Sequence, residues 1–166
     1  PVKIQEFGDL QCPYCKANAE EVTPAVIENQ VRNGEANITF NQFVIIGPDS
    51  IPAGEAALAA GAQGRGWEYV ELFYRNQGKE NSGYADDEFL TAVAKGAGVK
   101  DIAQWETERK GTKFSDEVTA TTEEAQRLGF TGTPSFAIKG PNTNGLELLG
   151  TPSSPEEVEE EINKAR

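Results

Sequence analysis

Two cysteines three positions apart, Cys12 and Cys15, stand where an alternating apolar run gives way to a helical pattern, and the 166-residue chain has no others. The stretch reads Phe7-Gly8-Asp9-Leu10-Gln11-Cys12-Pro13-Tyr14-Cys15-Lys16. Val2 to Phe7 alternates as a strand does. Pro13 suits the first position of a helix, where a missing N–H costs nothing and φ is already set. Cys12 is thereby placed at or near the N-cap, facing unpaired backbone N–H groups and the positive end of the helix dipole, which favour a thiolate. Cys15 falls a turn further in and is expected to be the more buried. The functional reading is an attacking Cys12 and a resolving Cys15 that close a small disulfide ring.

Other uses of two thiols fit less well. A structural disulfide across so short a loop removes little entropy from the unfolded chain and makes a poor staple. A zinc or iron–sulfur centre needs two more soft ligands. The chain has no histidine and no further cysteine, so a metal would have to sit between two copies. No metal site within one chain is expected.

The order of elements follows from periodicity. Pro13 to about Asn33 reads as helix with an apolar stripe of Ala17, Val22, Val26, Ile27 and Val31, and Pro24 is expected to kink or restart it. Ala36 to Ile46 is the next strand, rich in β-branched and aromatic residues. Strand, helix and strand make a βαβ unit, so the two strands are expected to lie parallel, joined by a right-handed crossover. Asn37-Ile38-Thr39 matches a glycosylation sequon but falls in what reads as an interior strand, and is taken as chance.

From Pro52 to about Leu128 the period is helical. Helices are expected over Ala53–Ala62, Trp67–Asn76, Asp86–Ala97, Lys100–Lys110 and Ser115–Leu128, the last capped by Ser115 and ended by Gly129. Trp67, Phe73, Phe89 and Trp105 read as core residues. This block has no nucleophile paired with a base, so it is expected to shape access rather than chemistry. Ser135–Lys139, a turn at Gly140–Gly145 and Leu146–Leu149 form a hairpin, and Pro155–Arg166 closes the chain as a helix. The chain thus divides into 1–51, a helical insertion 52–128 and 129–166, an α/β arrangement interrupted in its middle.

Composition narrows the setting. No run approaches the roughly 18 apolar residues needed to span a bilayer. A formal net charge of −12 argues against a nucleic-acid partner, whose phosphates would be repelled. Confining both cysteines to the motif suits a protein working in an oxidising compartment, although cytosolic dithiol proteins can look the same. The sequence opens at Pro1 without an initiator methionine, so an export signal upstream, cleaved or omitted, is expected.

Glu6-Phe7-Gly8-Asp9-Leu10-Gln11-Cys12-Pro13-Tyr14-Cys15, together with Gly129-Phe130-Thr131-Gly132-Thr133-Pro134-Ser135-Phe136, resembles the DsbA-like thiol:disulfide oxidoreductases. The resemblance extends over essentially the whole chain. It implies a thioredoxin fold, a central mixed sheet flanked by helices, carrying a helical insertion. The Pro13-Tyr14 pair departs from the Pro-His of DsbA itself and matches glutaredoxins, which bears on redox poise.

The resemblance further implies a cis bond at Thr133-Pro134 and a loop there that packs beside Cys12 and pairs with extended substrate. It implies a buried carboxylate at Glu6 that passes protons to and from the inner thiol. A surface glutamate at a strand end is the competing reading of Glu6, since the strand Ile38–Val44 holds no lysine to pair with it. Asp9 and Gln11 could tune Cys12 instead.

The reaction implied is dithiol–disulfide exchange without a cofactor other than the Cys12–Cys15 pair. The favoured reading is a bacterial oxidase of reduced, unfolded proteins in the periplasm or cell envelope, monomeric and reoxidised by a membrane-bound partner. A reductase or isomerase, or a peptide-holding chaperone module with an incidental dithiol, remain alternatives.

Overall fold

The strand that leads into the cysteine motif lies inside the sheet. In the computed structural model, which describes all of residues 1–166, β1 (Val2–Gly8) lies between β2 (Ala36–Gln42) and β3 (Ser135–Lys139). It runs parallel to β2 and antiparallel to β3, and β4 (Glu147–Gly150) completes the order β2-β1-β3-β4. Side chains alternate between the two faces of a strand. Val2 and Ile4 therefore join Val22, Val26, Phe136, Ile138, Val158 and Ile162 in one apolar cluster. Phe7 points the other way, to Phe43, Ala125 and Phe130.

The expected first helix is broken where Pro24 demands it. α1 (Pro13–Glu21) is followed by α2 (Thr23–Val26), which has Pro24 in its first turn, and by a π-helical turn at Ile27–Val31. Pro24 has no N–H to give the preceding turn, so the helix restarts.

Five helices separate β2 from β3: α3 (Ser50–Gly61), α4 (Gly66–Arg75), α5 (Asp87–Gly96), α6 (Ile102–Arg109) and α7 (Thr112–Arg127). α3 is at their centre and packs against the other four. Its buried residues are all small, among them Ala53, Gly54, Ala56, Ala57, Ala59 and Ala60, which lets neighbouring helices approach closely. Trp105 on α6 uses that proximity, donating its indole N–H to the Ala56 carbonyl at 2.9 Å. α4 buries Tyr69, Val70, Phe73 and Tyr74, a one-sided stripe at helical spacing. Leu10, Cys12 and Cys15 belong to the same apolar cluster as these helices. α8 (Pro155–Ala165) closes the fold, capped by Ser154, whose hydroxyl accepts from the Glu157 N–H while Glu157 reaches back to the Ser153 N–H.

Four expectations need correction. The second strand ends at Gln42 and not at Ile46, because the Ile45 and Ile46 N–H groups turn away to the Asp9 carboxylate. β2 is an edge strand rather than an interior one, and Asn37 on it is exposed. Ser115 is not a helix cap: α7 begins at Thr112 after Gly111, and the Ser115 hydroxyl donates to the Thr112 carbonyl within the helix. Trp105 and Phe73 are fully buried, whereas Trp67 and Phe89 are only partly so.

Candidate active site

Cys12 is the N-cap of α1, with extended backbone at φ −76° and ψ 122°. Its sulfur accepts from the Cys15 N–H at 3.4 Å and, as a thiol, faces the Thr133 carbonyl at 3.4 Å. Both cysteines are free thiols. Cys15 is completely buried and Cys12 is 4% exposed. The Cys12 thiol is lowered from the usual 9.0 to about 6, chiefly because the Cys15 thiol donates a hydrogen bond to its sulfur, against the upward push of burial. Bonds from the Thr133 side chain and from the Cys15 and Tyr14 backbones add to the lowering. Burial drives Cys15 strongly upward, and the hydrogen bond it gives Cys12 adds to that. One thiol is thus ready as a thiolate near neutral pH while its partner keeps its proton.

Pro13 opens α1 as expected. Tyr14 is 75% exposed, so its ring lies on the surface beside the motif. The Thr133–Pro134 peptide bond is cis. Pro134 leads into β3, whose first residue, Ser135, pairs with Phe7, so β1 and β3 bring the loop and the motif to one end of the sheet.

Glu6 is buried, 1% exposed, and not the surface residue that the competing reading allowed. It faces Phe40 on β2 and Phe136 on β3 across the ladder, and neither carboxyl oxygen has a hydrogen-bond partner. Burial in these apolar surroundings raises its carboxyl from 4.5 to about 8. Gly8 follows on the same face of β1. A Cβ there would lie 2.8 Å from the Phe40 ring and 3.5 Å from the Cys15 sulfur. The absence of a side chain at position 8 therefore leaves room for the Phe40 ring, while the Cys15 sulfur lies at ordinary contact distance on the same face.

The residues between strand and motif form a hydrogen-bonded hub. Asp9, fully buried, accepts from the Gln11 N–H (2.9 Å) and Ser50 hydroxyl (2.7 Å) on one oxygen. Its other oxygen accepts from the Ile45 and Ile46 N–H groups, both at 2.9 Å. The Gln11 amide, 1% exposed, donates to Ser50 and to Asn81 and accepts from the Asn81 N–H. Gln77 donates to the Leu10 and Cys12 carbonyls at 2.8 and 3.1 Å, and the Tyr74 hydroxyl to the Asp9 carbonyl at 3.3 Å. Sequence reading marked Asp9 and Gln11 as possible tuners but passed over Ser50, Tyr74, Gln77 and Asn81. Their partners lie 39 to 70 residues away, and no local pattern announces such contacts. No group of three or more His, Cys, Asp or Glu side chains converges as a metal site.

A parallel-then-antiparallel sheet with a Cys-x-x-Cys pair at the first helix and a proline loop opposite it defines a dithiol protein of the thioredoxin class. The family profile described as "Thioredoxin" matches residues 1–164, and the chain belongs to that family. A protein of Bacillus anthracis named "Probable disulfide bond formation protein D" is 30% identical over 144 residues, 84% of this chain and 66% of its own length. The chain therefore spans just under two thirds of that relative. Among solved structures, oxidised BdbD from Bacillus subtilis superposes with a TM-score of 0.85 at 20% identity, covering 99% of this chain and 87% of that one. Alpha-DsbA1 of Wolbachia pipientis does so with a TM-score of 0.81 at 18% identity, over 99% and 85%. The fold is the DsbA-like form of the thioredoxin fold, as the sequence implied.

Proposed function

We propose that the chain is a thiol:disulfide oxidoreductase that donates the Cys12–Cys15 disulfide to reduced polypeptides. The observation that carries this reading is the split between the two thiols at the α1 N-terminus, Cys12 lowered to about 6 and Cys15 raised. In the oxidised protein a substrate thiolate attacks the Cys12 sulfur. The Cys12–Cys15 bond breaks and Cys15 departs with the electron pair, taking up a proton. Glu6, protonated below about 8, is the carboxyl on that side of the pair and supplies it. A second substrate thiolate then attacks the substrate sulfur of the mixed disulfide. Cys12 leaves as the thiolate, favoured by its low pKa; the substrate has passed two electrons to the protein and its two thiol protons to solvent, from which Glu6 regains the one it gave Cys15.

No further cofactor enters this scheme. Thr133 and Pro134 form the loop beside Cys12 along which an extended substrate lies. Reactive cysteines in Cys-x-x-Cys motifs range from about 3.5 in strongly oxidising members to about 7 in reducing ones, with potentials of about −120 and −270 mV. A value of about 6 lies between these limits, nearer the second, and the potential proposed is roughly −150 to −230 mV. Such poise suits a bacterial envelope protein, monomeric and reoxidised by a membrane-bound partner. No helix of the chain is itself long and apolar enough to cross a membrane.

The test is oxidation of reduced, denatured ribonuclease by stoichiometric oxidised protein, followed by thiol titration and recovered ribonuclease activity. Loss of substrate thiols, abolished in Cys12→Ala, is expected, and Cys15→Ser should accumulate mixed disulfides through Cys12. Unchanged substrate thiols with the wild-type protein would overturn the reading.

A further inference from the structure

The motif is held from an unexpected side. Its backbone is gripped by residues that precede it and by the helices that follow β2, and the hydrogen bonds converge on one residue. The four donors to the Asp9 carboxylate come from Gln11, from Ile45 and Ile46 in the segment after β2, and from Ser50 at the start of α3. A carboxylate fixed in this way cannot move without breaking several charge-assisted bonds at once. The main chain of Asp9 is fixed with it, and it is this main chain that touches the reacting pair. The Asp9 carbonyl accepts the Cys12 N–H at 2.9 Å. The Asp9 backbone also favours the Cys15 thiolate, against the upward push of burial.

We propose, building on the oxidoreductase reading above, that Asp9 is a positioning residue for both thiols, and that the segment from Ser50 to Asn81 helps set the redox poise of the motif through it. The side chain of Asp9 never touches a sulfur. Its work is to hold its carbonyl against Cys12 and its backbone beside Cys15, so that the Cys15 thiol and N–H stay aimed at the Cys12 sulfur. Tyr74 and Gln77 on or just after α4 complete the grip by donating to the Asp9, Leu10 and Cys12 carbonyls. The helical block is thus part of the apparatus that tunes the dithiol, and not a cover that merely governs access. Glu6 on β1 and Tyr74 on α4 are titratable groups close to the pair; the Asp9 charge helps raise Tyr74, so Asp9→Asn changes that neighbour, whereas Ser50→Ala leaves the charge in place.

The experiment measures the pH profile of Cys12 alkylation by iodoacetamide and the dithiol–disulfide equilibrium with glutathione for the wild type, Asp9→Asn and Ser50→Ala. Asn keeps the volume and one acceptor but sets an NH2 group against one of the two donor pairs, Gln11 with Ser50 or Ile45 with Ile46. Ser50→Ala removes one donor and leaves Asp9 intact. In Asp9→Asn the alkylation midpoint should rise by about one pH unit and the equilibrium should shift toward the disulfide about tenfold, about 30 mV for a two-electron couple. Ser50→Ala should move both in the same direction by a smaller factor, and it serves as the deciding variant if Asp9→Asn does not fold. A folded Asp9→Asn, or failing that a folded Ser50→Ala, that titrates and equilibrates as the wild type does would overturn the proposal. Alkylation needs no turnover, so this outcome is distinct from failure of the oxidoreductase reading, which the ribonuclease assay on the wild type decides.

Discussion

Asp9 and Glu6 lie three residues apart at the end of β1, both 1% exposed or less, and the two regions around them differ in kind. On the side of the helical block, Asp9 finds four donors, three of them backbone N–H groups. Within the sheet, Glu6 finds two phenylalanine rings and no donor at all. Burial costs an ionised group several kcal/mol unless hydrogen bonds replace the lost water. Where they do, the carboxylate becomes a fastening. Where they do not, the carboxyl keeps its proton to about 8 and becomes a group that can lend it. The same chemical group is thus fastened on one side of Gly8 and left without a partner on the other.

The largest effect should come from breaking the fastened side. Asp9→Ala strands the Gln11, Ile45 and Ile46 N–H groups and the Ser50 hydroxyl, and it should cost about 4–6 kcal/mol of stability in urea unfolding. A loss below about 1 kcal/mol would show that the loop relaxes and finds other partners.

Next comes the unfastened side, through pH. The Glu6 carboxyl is raised on folding from 4.5 to about 8. The unfolded chain therefore sheds this proton first, and stability present below pH 4.5 is lost as pH rises toward about 8. Oxidised wild type should lose of the order of 3–5 kcal/mol across that window relative to Glu6→Leu, whose side chain has nothing to ionise. In the reduced protein the Cys12 thiol works the other way. Its value falls from 9.0 to about 6 on folding, so stability is gained as pH rises through that range. Parallel unfolding curves for oxidised wild type and Glu6→Leu at pH 5, 6.5 and 8 would refute the burial of an unpaired carboxyl.

The smallest effect isolates a residue outside both regions. Tyr14, exposed beside the motif, presents a phenol, whereas a histidine there could donate a ring N–H to the Cys12 thiolate or carry charge beside it. Tyr14→His should lower the Cys12 midpoint and raise the potential by some tens of millivolts, about 1 kcal/mol. The measurement is the glutathione titration. A null result would place control of the poise with Asp9 and its partners.

Much of this was legible in the chain because it rests on local signals. Strand alternation before Cys12, Pro13 at the helix start and the break at Pro24 are all written within a few residues of where they act. The two thiols and their inequality followed from the same local grammar. The run from Ala36 to Ile46 misled because β-branched residues mark extended chain, and whether extended chain pairs or turns depends on Asp9, far away in sequence. Glu6 stayed ambiguous because its burial is decided by Phe40 and Phe136 on neighbouring strands. The grip of Tyr74, Gln77 and Asn81 had no signature, since amides and phenols that bond backbone carbonyls carry no spacing rule.

The placement of β2 at the sheet margin has a consequence for self-association. Ile38 to Ile46 carries no charged residue and is dense in β-branched and aromatic side chains, the composition that stacks into fibrils when left uncovered. Where the strand ends, at Gln42 to Val44, it is met by helices instead of by lysines or prolines. Thr121 and Thr122 on α7 occupy the Gln42 carbonyl, Thr122 also takes the Val44 N–H, and Gln42 leans over Gly54 on α3. Loss of those helices, with the sheet still intact, would bare a ready template for a second chain. In this protein the helices are a sheath as well as a lever, and colloidal safety depends on their staying folded.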